Sequence, residues 1–202
     1  MRLVLSALIL SASASQAGAN VSECASVSSD LDRLACYDRV SGREPSVKSA
    51  DLVGKWHVSI RESEFRDTTD VFLSIVSDES VQCGSLRDSV PAQLIIRCME
   101  NTTAMFIKTD CHLASSRYND YGDVDVRLDD SPTTTVSMEE STDHKSLGLW
   151  SGGRSIPFVK TMIGKDTMLT RFTPYSHSPV TARFQISGLD EAITPLRESC
   201  GW

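Results

Sequence analysis

The sequence lacks a second long apolar run and lacks an excess of positive charge. Beyond the N-terminus, no stretch approaches the roughly 18 apolar residues that a transmembrane helix needs. The formal net charge is -7, from 27 Asp and Glu residues against 20 Lys and Arg residues. Such a chain repels the phosphates of nucleic acids and anionic lipids. The sequence therefore predicts no nucleic-acid partner and no stable membrane span once the N-terminal segment is removed.

Motifs of common catalytic and metal sites are also missing. No serine lies in a G-x-S-x-G or Ser-x-x-Lys pattern, and no two cysteines have the C-x-x-C spacing of zinc or thioredoxin-like sites. The histidines are His57, His112, His144 and His177. None has the spacing of a metal pair on one helix face, so we expect solvated structural positions. The sequence predicts no catalytic residue, metal or cofactor, with a hydrolase whose site assembles only in space as an alternative.

An acidic stretch between residues 119 and 143 suggests a calcium site at first sight. Its acidic residues are Asp120, Asp123, Asp125, Asp129, Asp130, Glu139, Glu140 and Asp143. The spacing lacks the glycine and the closing glutamate of a calcium-binding loop. Because several of these acids alternate with Val124, Val126 and Leu128, we expect them to face water along a strand.

The N-terminus has the pattern of a removable export signal. Residues 1–19 contain Arg2, then an apolar stretch from Leu3 to Leu10, and end in Ala17-Gly18-Ala19. This small-x-small ending is the pattern that a signal peptidase needs. Since no cysteine directly follows it, no lipid anchor is expected. The sequence predicts a periplasmic or secreted protein of a Gram-negative bacterium.

Six cysteines remain after removal of the signal, and an even number in an oxidising compartment predicts disulfides. They are Cys24, Cys36, Cys83, Cys98, Cys111 and Cys200. Spacing favours a Cys24–Cys36 bridge and a Cys83–Cys98 bridge across a predicted hairpin, which leaves Cys111 with Cys200. The last bridge would close the longest loop and stabilise the fold most. A free, reactive or metal-bound cysteine is the alternative.

Hydrophobic periodicity divides the mature chain into three parts. Residues 20–40 predict a small helical module stapled by a disulfide, with Ser29 or Asp30 as cap and with Leu31, Leu34 and Ala35 on one face. Residues 41–50 contain Gly, Pro and Ser without a periodic apolar face and predict a linker. From residue 51 to 202, apolar residues recur with period two. The predicted strands are 55–60, 71–76, 93–98, 104–107, 123–128, 133–138, 147–150, 168–172 and 182–186.

Short strands joined by polar turns predict a mainly β fold, an antiparallel β-sandwich or barrel-like domain. Two short helices are expected within it. One should cover Pro157 to Ile163, after a flexible turn at Ser151-Gly152-Gly153-Arg154. The other should start near Leu189 and be split or restarted at Pro195.

The last third of the chain carries a recognisable series of short strings. They are Leu149-Trp150-Ser151, Ile156-Pro157-Phe158, Met168 to Pro174, Ala182 to Leu189, Pro195-Leu196-Arg197 and Cys200-Gly201-Trp202. Earlier in the chain, Arg97-Cys98 and Glu100-Asn101-Thr102 fit the same pattern, as does the opening from Cys24 to Asp38. In this order they resemble the VasI or TagO family of type VI secretion system-associated proteins, over roughly residues 22 to 202.

The resemblance implies an exported accessory or adaptor protein that acts by contacts with envelope or secretion-apparatus proteins. It carries over no enzymatic residues, so the expected role is non-enzymatic. A binding module for an envelope ligand, such as a sugar, is the alternative. An inhibitor that recognises a basic enzyme by electrostatic steering belongs to the same alternative. The sequence leaves the oligomeric state open.

Overall fold

The computed structural model describes residues 21–27, 30–41, 47–63, 66–83 and 89–202. The predicted signal, residues 1–19, and the predicted cap Ser29 lie outside these ranges. The chain divides into two compact units, Met1–Pro45 and Ser46–Trp202. Among the described residues, no helix is both long and apolar enough to cross a membrane.

In the N-terminal unit, the described residues form two helices, α1 from Val21 to Cys24 and α2 from Asp30 to Val40. The disulfide Cys24–Cys36 links them, with a Cα–Cα distance of 5.4 Å, which confirms this part of the predicted pairing. Leu34 was expected on an apolar face but is 58% exposed. A unit this small has little apolar surface to bury, so a disulfide takes the place of a core.

The second unit is built from two antiparallel sheets. Its strands are β1 Val47–Val53, β2 Trp56–Glu62, β3 Thr69–Val81, β4 Val90–Met99, β5 Thr102–Lys108, β6 Asp123–Leu128, β7 Thr134–Ser137, β8 Glu139–Glu140, β9 Ser146–Leu149, β10 Thr167–Phe172 and β11 Val180–Gln185. The larger sheet has the order β1-β2-β3-β4-β5-β9-β8, and the smaller has the order β11-β10-β6-β7. The mainly β prediction is confirmed. Each sheet has two edge strands, so these strands form a sandwich-like pair rather than a closed barrel.

One hydrophobic core lies between the inward faces of both sheets. In β4, Leu94, Ile96 and Cys98 are buried at every second position, as the pleat of a strand requires. The same core contains Phe172 from β10 and Phe184 from β11. The two sheets are therefore held together by shared apolar burial rather than by strand pairing.

Strand β1 begins at Val47, inside the range 41–50 that the sequence predicts as a linker. Its residues pair with β2, with Val47 opposite Arg61 and Lys48 opposite Ile60, followed by an irregularity before Asp51. The segment has no alternating apolar pattern because it is an edge strand with a bulge, and edge strands need not follow strict alternation.

Within the described part of this unit, three helices accompany the sheets: α3 Gly152–Met162, α4 Leu189–Ala192 and α5 Thr194–Cys200. The predicted flexible turn at residues 151–154 is wrong, because Gly152 already starts α3. The carbonyl of Ser151 accepts hydrogen bonds from the N–H groups of Arg154 and Ser155. Pro157 therefore lies inside the helix rather than in its first turn. The predicted start at Leu189 and the restart at Pro195 are both confirmed.

Two of the three predicted disulfides are wrong. The structure joins Cys83 to Cys111 and Cys98 to Cys200, with Cα–Cα distances of 5.4 Å and 5.8 Å. The reason is the register of the β3–β4 hairpin. Cys98 lies opposite Val71, whereas Cys83 follows Val81 at the other end of the hairpin. A long hairpin separates cysteines that are close in sequence.

Candidate functional site

The loop between β5 and β6, residues 109–122, carries a row of exposed polar and aromatic side chains. It is anchored where Cys111 and Leu113 enter the core, 3% and 0% exposed, while His112 between them points outward. The disulfide to Cys83 fixes the same point. The loop therefore leaves the sheet from a rigid base, which favours a stable position for the side chains beyond it.

Two other loops meet this one through backbone contacts. The N–H of Tyr175 donates to the carbonyl of His112 at 2.9 Å, and the N–H of Leu113 donates to the carbonyl of His144 at 2.7 Å. The N–H of Ser176 donates to the hydroxyl oxygen of Tyr121 at 3.3 Å. These bonds bring together residues from three separate parts of the chain.

The rings of this region are in mutual contact. The centroids of His112 and His144 lie 5.0 Å apart, and those of His112 and Tyr175 lie 5.5 Å apart. Tyr121 and Tyr175 follow at 5.6 Å. Beyond them, Tyr118 is 98% exposed. We name the set Arg117, Tyr118, Tyr121, Tyr175, His112 and His144 the tyrosine surface.

Local hydrogen bonds shape the tip of the β5–β6 loop. The N–H of Tyr118 donates to the hydroxyl of Ser116 at 3.1 Å, and the N–H of Tyr121 donates to the side-chain oxygen of Asn119 at 3.0 Å. Gly122 has a φ of 91°, which favours glycine over other residues. The exposed Tyr118 ring thus projects from a loop whose backbone is already ordered.

A polar cavity of about 710 Å³ lies beside this surface. In it, the guanidinium of Arg154 donates to Glu139 at 3.1 Å and also to the carbonyl of Ser137. The hydroxyl of Ser115 donates to Glu140, and this bond is the main reason that the pKa of Glu140 is lowered. Three charged groups of this cavity, Arg154, Glu139 and Glu140, therefore already have partners within the protein.

The outward face of the larger sheet carries a second unusual group of side chains. The rings of Phe106 and Trp150 are stacked, with centroids 5.0 Å apart and planes inclined by 30°. The guanidinium of Arg97 lies 5.5 Å from the centre of the Phe106 ring. Trp150 donates its indole N–H to the carbonyl of Glu139 at 2.9 Å, which fixes the ring. Burial lowers the pKa of Arg97, and the charge of Asp70 partly offsets this.

Several acidic residues of the 119–143 stretch have structural partners. Arg171 donates to the carboxylate of Asp125 at 2.5 Å and 3.1 Å, and Thr135 donates at 2.8 Å, so the pKa of Asp125 is lowered. Asp129 accepts hydrogen bonds from the N–H groups of Asp166 and Thr167. Within the described ranges, no three His, Cys, Asp or Glu side chains form a group that could hold a metal ion.

All four histidines are exposed, in agreement with their predicted solvated positions. The sequence does not predict that His112 and His144 meet, because they are far apart along the chain and come together only through the pairing of β5 with β9 and the contacts between their loops. No motif or spacing in the sequence indicates a functional role for the tyrosines. The composition of residues 115–122, which are rich in Ser, Tyr, Asn and Gly, could have indicated a recognition loop, since binding loops favour these residues.

Comparisons with known proteins place the chain in a family. No curated protein matches the chain. Among solved structures, it is similar to the crystal structure of invasion associated protein B from Bartonella henselae, with a TM-score of 0.48 and 10% sequence identity. That match covers 75% of this chain and 97% of the other. The family model described as Type VI secretion system VasI, EvfG matches residues 23–202, so the chain belongs to the VasI family.

Proposed function

We propose that the protein is an exported, non-enzymatic accessory protein of the type VI secretion system that acts by protein contacts in the periplasm. Membership of the VasI family supports the secretion context. Three disulfides support an oxidising compartment, because such bonds persist there and are rare in the cytosol. The export signal predicted at residues 1–19 is part of the same proposal.

The tyrosine surface is the observation that best supports action through protein–protein contacts. Tyr and Arg are enriched among the residues that dominate protein–protein binding. A Tyr ring adds a large contact area at a small cost in side-chain entropy. Tyr118 and Tyr175 are 98% and 51% exposed, so most of the Tyr118 ring packs against none of the described residues.

The order of the loops supports the same role. Backbone hydrogen bonds already hold Tyr175 against His112 and Ser176 against Tyr121. Binding of a partner to this surface would therefore cost little conformational entropy in the loops, and a small entropy cost favours affinity. The surface is therefore suited to a specific contact with another folded protein.

A deletion strain tests the proposal directly. The gene is deleted in a strain with a working type VI system, and secretion of the tail-tube protein and contact-dependent killing are measured. We expect both to be lost and to return with the wild-type gene. Normal secretion and killing in the deletion strain would overturn the proposed role.

Complementation with variants tests the tyrosine surface. The double variant Tyr118→Ala/Tyr175→Ala is expected to restore less than about a tenth of secretion, at the wild-type protein level, since loss of two contact residues costs several kcal/mol of binding. The control is Leu34→Ala, which removes an apolar side chain that is 58% exposed in the N-terminal unit. Full restoration by the double variant would contradict contact through this surface.

Fractionation tests the location. We expect the chain to be found with periplasmic markers, and a variant that lacks residues 2–19 to remain in the cytoplasm. Equal distribution of the two forms would contradict export through the predicted signal.

A further inference from the structure

The outward face of the larger sheet carries aromatic, apolar and basic side chains that are not part of the hydrophobic core. In the β3–β4–β5 register, Phe72 lies opposite Arg97 and Ile95 lies opposite Phe106, so the four share one face. The core cluster formed by the described residues includes none of Phe72, Ile95 and Phe106. Yet Phe106 is only 9% exposed. Its ring is covered from the outside by its neighbours on this face, among them Arg97 and Trp150.

Among the described residues, no carboxylate lies within ion-pair distance of two cations on this face. Ion pairs in the described ranges engage Lys55, Arg66, Arg127, Lys145, Arg154, Lys165, Arg171 and Arg183. Arg97 and Lys108 are not among them. Among the described residues, the guanidinium of Arg97 has a long contact of 3.9 Å to the sulfur of Met99 and lies over the Phe106 ring, while the charge of Asp70 acts on it from beyond ion-pair distance. In a protein with a net charge of -7, such cations are available to an anion.

The carboxylates nearby are already engaged. Asp70 accepts a hydrogen bond from the N–H of Glu100 at 3.1 Å. Glu140 accepts from Ser115. Asp143 accepts from the hydroxyl of Ser141 at 2.5 Å and from the N–H of Lys145 at 3.1 Å. These acids temper the positive potential of Arg97 and Lys108 but do not pair with them.

The two cations and the stacked rings line one cavity of about 460 Å³. That volume lies within the range of small-ligand sites, roughly 300 to 1,000 Å³. Ser141, Thr142 and Ser146 line the same cavity, and so do the carboxylates Glu140 and Asp143. Both carboxylates and the hydroxyl of Ser141 have partners within the protein. The cavity thus combines an aromatic surface, two cations, two hydrogen-bonded carboxylates and several hydroxyl groups.

We propose that this cavity binds a carbohydrate whose sugar rings carry carboxylates. The apolar face of a sugar ring would pack on the indole of Trp150, and the ring hydroxyls would bond to the Ser and Thr hydroxyls. The carboxylate would bind Arg97 and Lys108, where charge-assisted hydrogen bonds are strong. An acidic peptide shares the carboxylate but has no flat ring of hydroxyl and CH groups for the rest of the cavity.

No residue that lines this cavity belongs to the tyrosine surface, although His144 lies in the same loop as Thr142 and Asp143. The site does not depend on a role in secretion. The purified, disulfide-bonded chain is titrated with oligogalacturonate, and binding is followed by tryptophan fluorescence and calorimetry. Trp150 is the half-buried indole that lines the cavity, whereas Trp56 is fully buried. The matched ligand is methyl-esterified oligogalacturonate, which has the same rings without the charge. A poly-glutamate peptide is the third probe.

We expect oligogalacturonate to bind at least about tenfold more tightly than its ester, with an affinity that falls as salt rises. Arg97→Gln and Lys108→Gln should each weaken it by about tenfold, while Arg171→Gln on the smaller sheet should not. Lys108 is exposed, so its variant reports on the site even if Arg97→Gln fails to fold. Absence of binding, equal binding of the ester, equal or tighter binding of poly-glutamate, or unchanged affinity in Lys108→Gln would overturn the proposal.

Discussion

Trp202 donates its indole N–H to the hydroxyl of Thr103, with 2.9 Å between the two atoms. Thr103 is 1% exposed, and its carbonyl also accepts a hydrogen bond from Ser155 at 2.8 Å. Lys160 and Arg197 lie 5.5 Å and 5.4 Å from the centre of the Trp202 ring. The Cys200-Gly201-Trp202 string, which resembles the VasI family most specifically, thus fastens α5 to β5 and α3.

A double-mutant cycle measures this contact. Thr103→Val keeps the shape of the side chain and removes the acceptor, whereas Trp202→Phe removes the donor together with part of the ring. Each should cost at least about 1 to 2 kcal/mol of unfolding free energy. The double variant should lose about 1 kcal/mol less than the sum of the two single losses. Urea unfolding followed by fluorescence gives the three values. Strictly additive losses would contradict a direct bond between the two side chains.

The sequence predicts those elements whose determinants are local. Strand β6 has the predicted bounds, 123–128, because its apolar residues alternate without interruption. The restart of the helix at Pro195 is likewise confirmed, since a proline lacks the N–H that a helix interior needs.

Elements that depend on distant contacts were predicted poorly. Helix α3 begins at Gly152, although two successive glycines disfavour a helix. The buried hydroxyl of Ser155 bonds to the carbonyl of Thr103 in β5, so tertiary contact overrides the local propensity. The disulfides follow the same rule, because the length of the β3–β4 hairpin decides which cysteines meet. The tyrosine surface joins three loops and could not be assembled from spacing.

The disulfide Cys98–Cys200 should stabilise the second unit most. It closes a separation of 102 residues, against 28 for Cys83–Cys111. In the chain-entropy model, removal of the disulfide that closes the longer loop should lower the free energy of unfolding by about 4.7 kcal/mol. Removal of the disulfide that closes the shorter loop should lower it by about 3.6 kcal/mol. The double variants Cys98→Ala/Cys200→Ala and Cys83→Ala/Cys111→Ala are compared by urea unfolding.

The third disulfide provides the control for this comparison. Cys24→Ala/Cys36→Ala changes only the N-terminal unit, and the three tryptophans lie in the other unit. We expect the free energy of unfolding reported by tryptophan fluorescence to change by less than about 0.5 kcal/mol. A larger loss for Cys83→Ala/Cys111→Ala than for Cys98→Ala/Cys200→Ala would contradict the argument from loop length.

Asp129 should contribute to the loss of stability in acid. Its pKa is lowered mainly by the hydrogen bond from the N–H of Thr167, with a smaller contribution from Asp166. Because the folded pKa lies below the unfolded value, the stabilisation is present at neutral pH and is lost as pH falls through the folded pKa. Melting temperatures of wild type and Asp129→Asn are compared between pH 7 and about pH 2, which spans the unfolded Asp pKa near 3.9.

The asparagine variant separates charge from shape. Asn keeps an acceptor oxygen and tolerates the φ of 46° at this position. We expect Asp129→Asn to melt lower than wild type at pH 7 and the gap to narrow as pH falls below about 4. A difference in melting temperature that stayed constant over this pH range would show that the charge of Asp129 does not stabilise the fold.

Gly122→Ala should disturb the tyrosine surface far more than a glycine substitution elsewhere. A Cβ at Gly122 would lie 2.6 Å from the carbonyl oxygen of Met138 and 2.7 Å from the Cβ of Ser115, so the backbone must shift. Gly164 is the matched control, because its φ of 74° is also positive but a Cβ there meets nothing within 4 Å. Gly164→Ala should cost only about 1 kcal/mol, from backbone strain. Gly122→Ala should lose more stability and, in the deletion strain, restore less secretion, because the loop that carries Tyr118 is displaced. Equal melting temperatures of the two variants would contradict the close contact at Gly122.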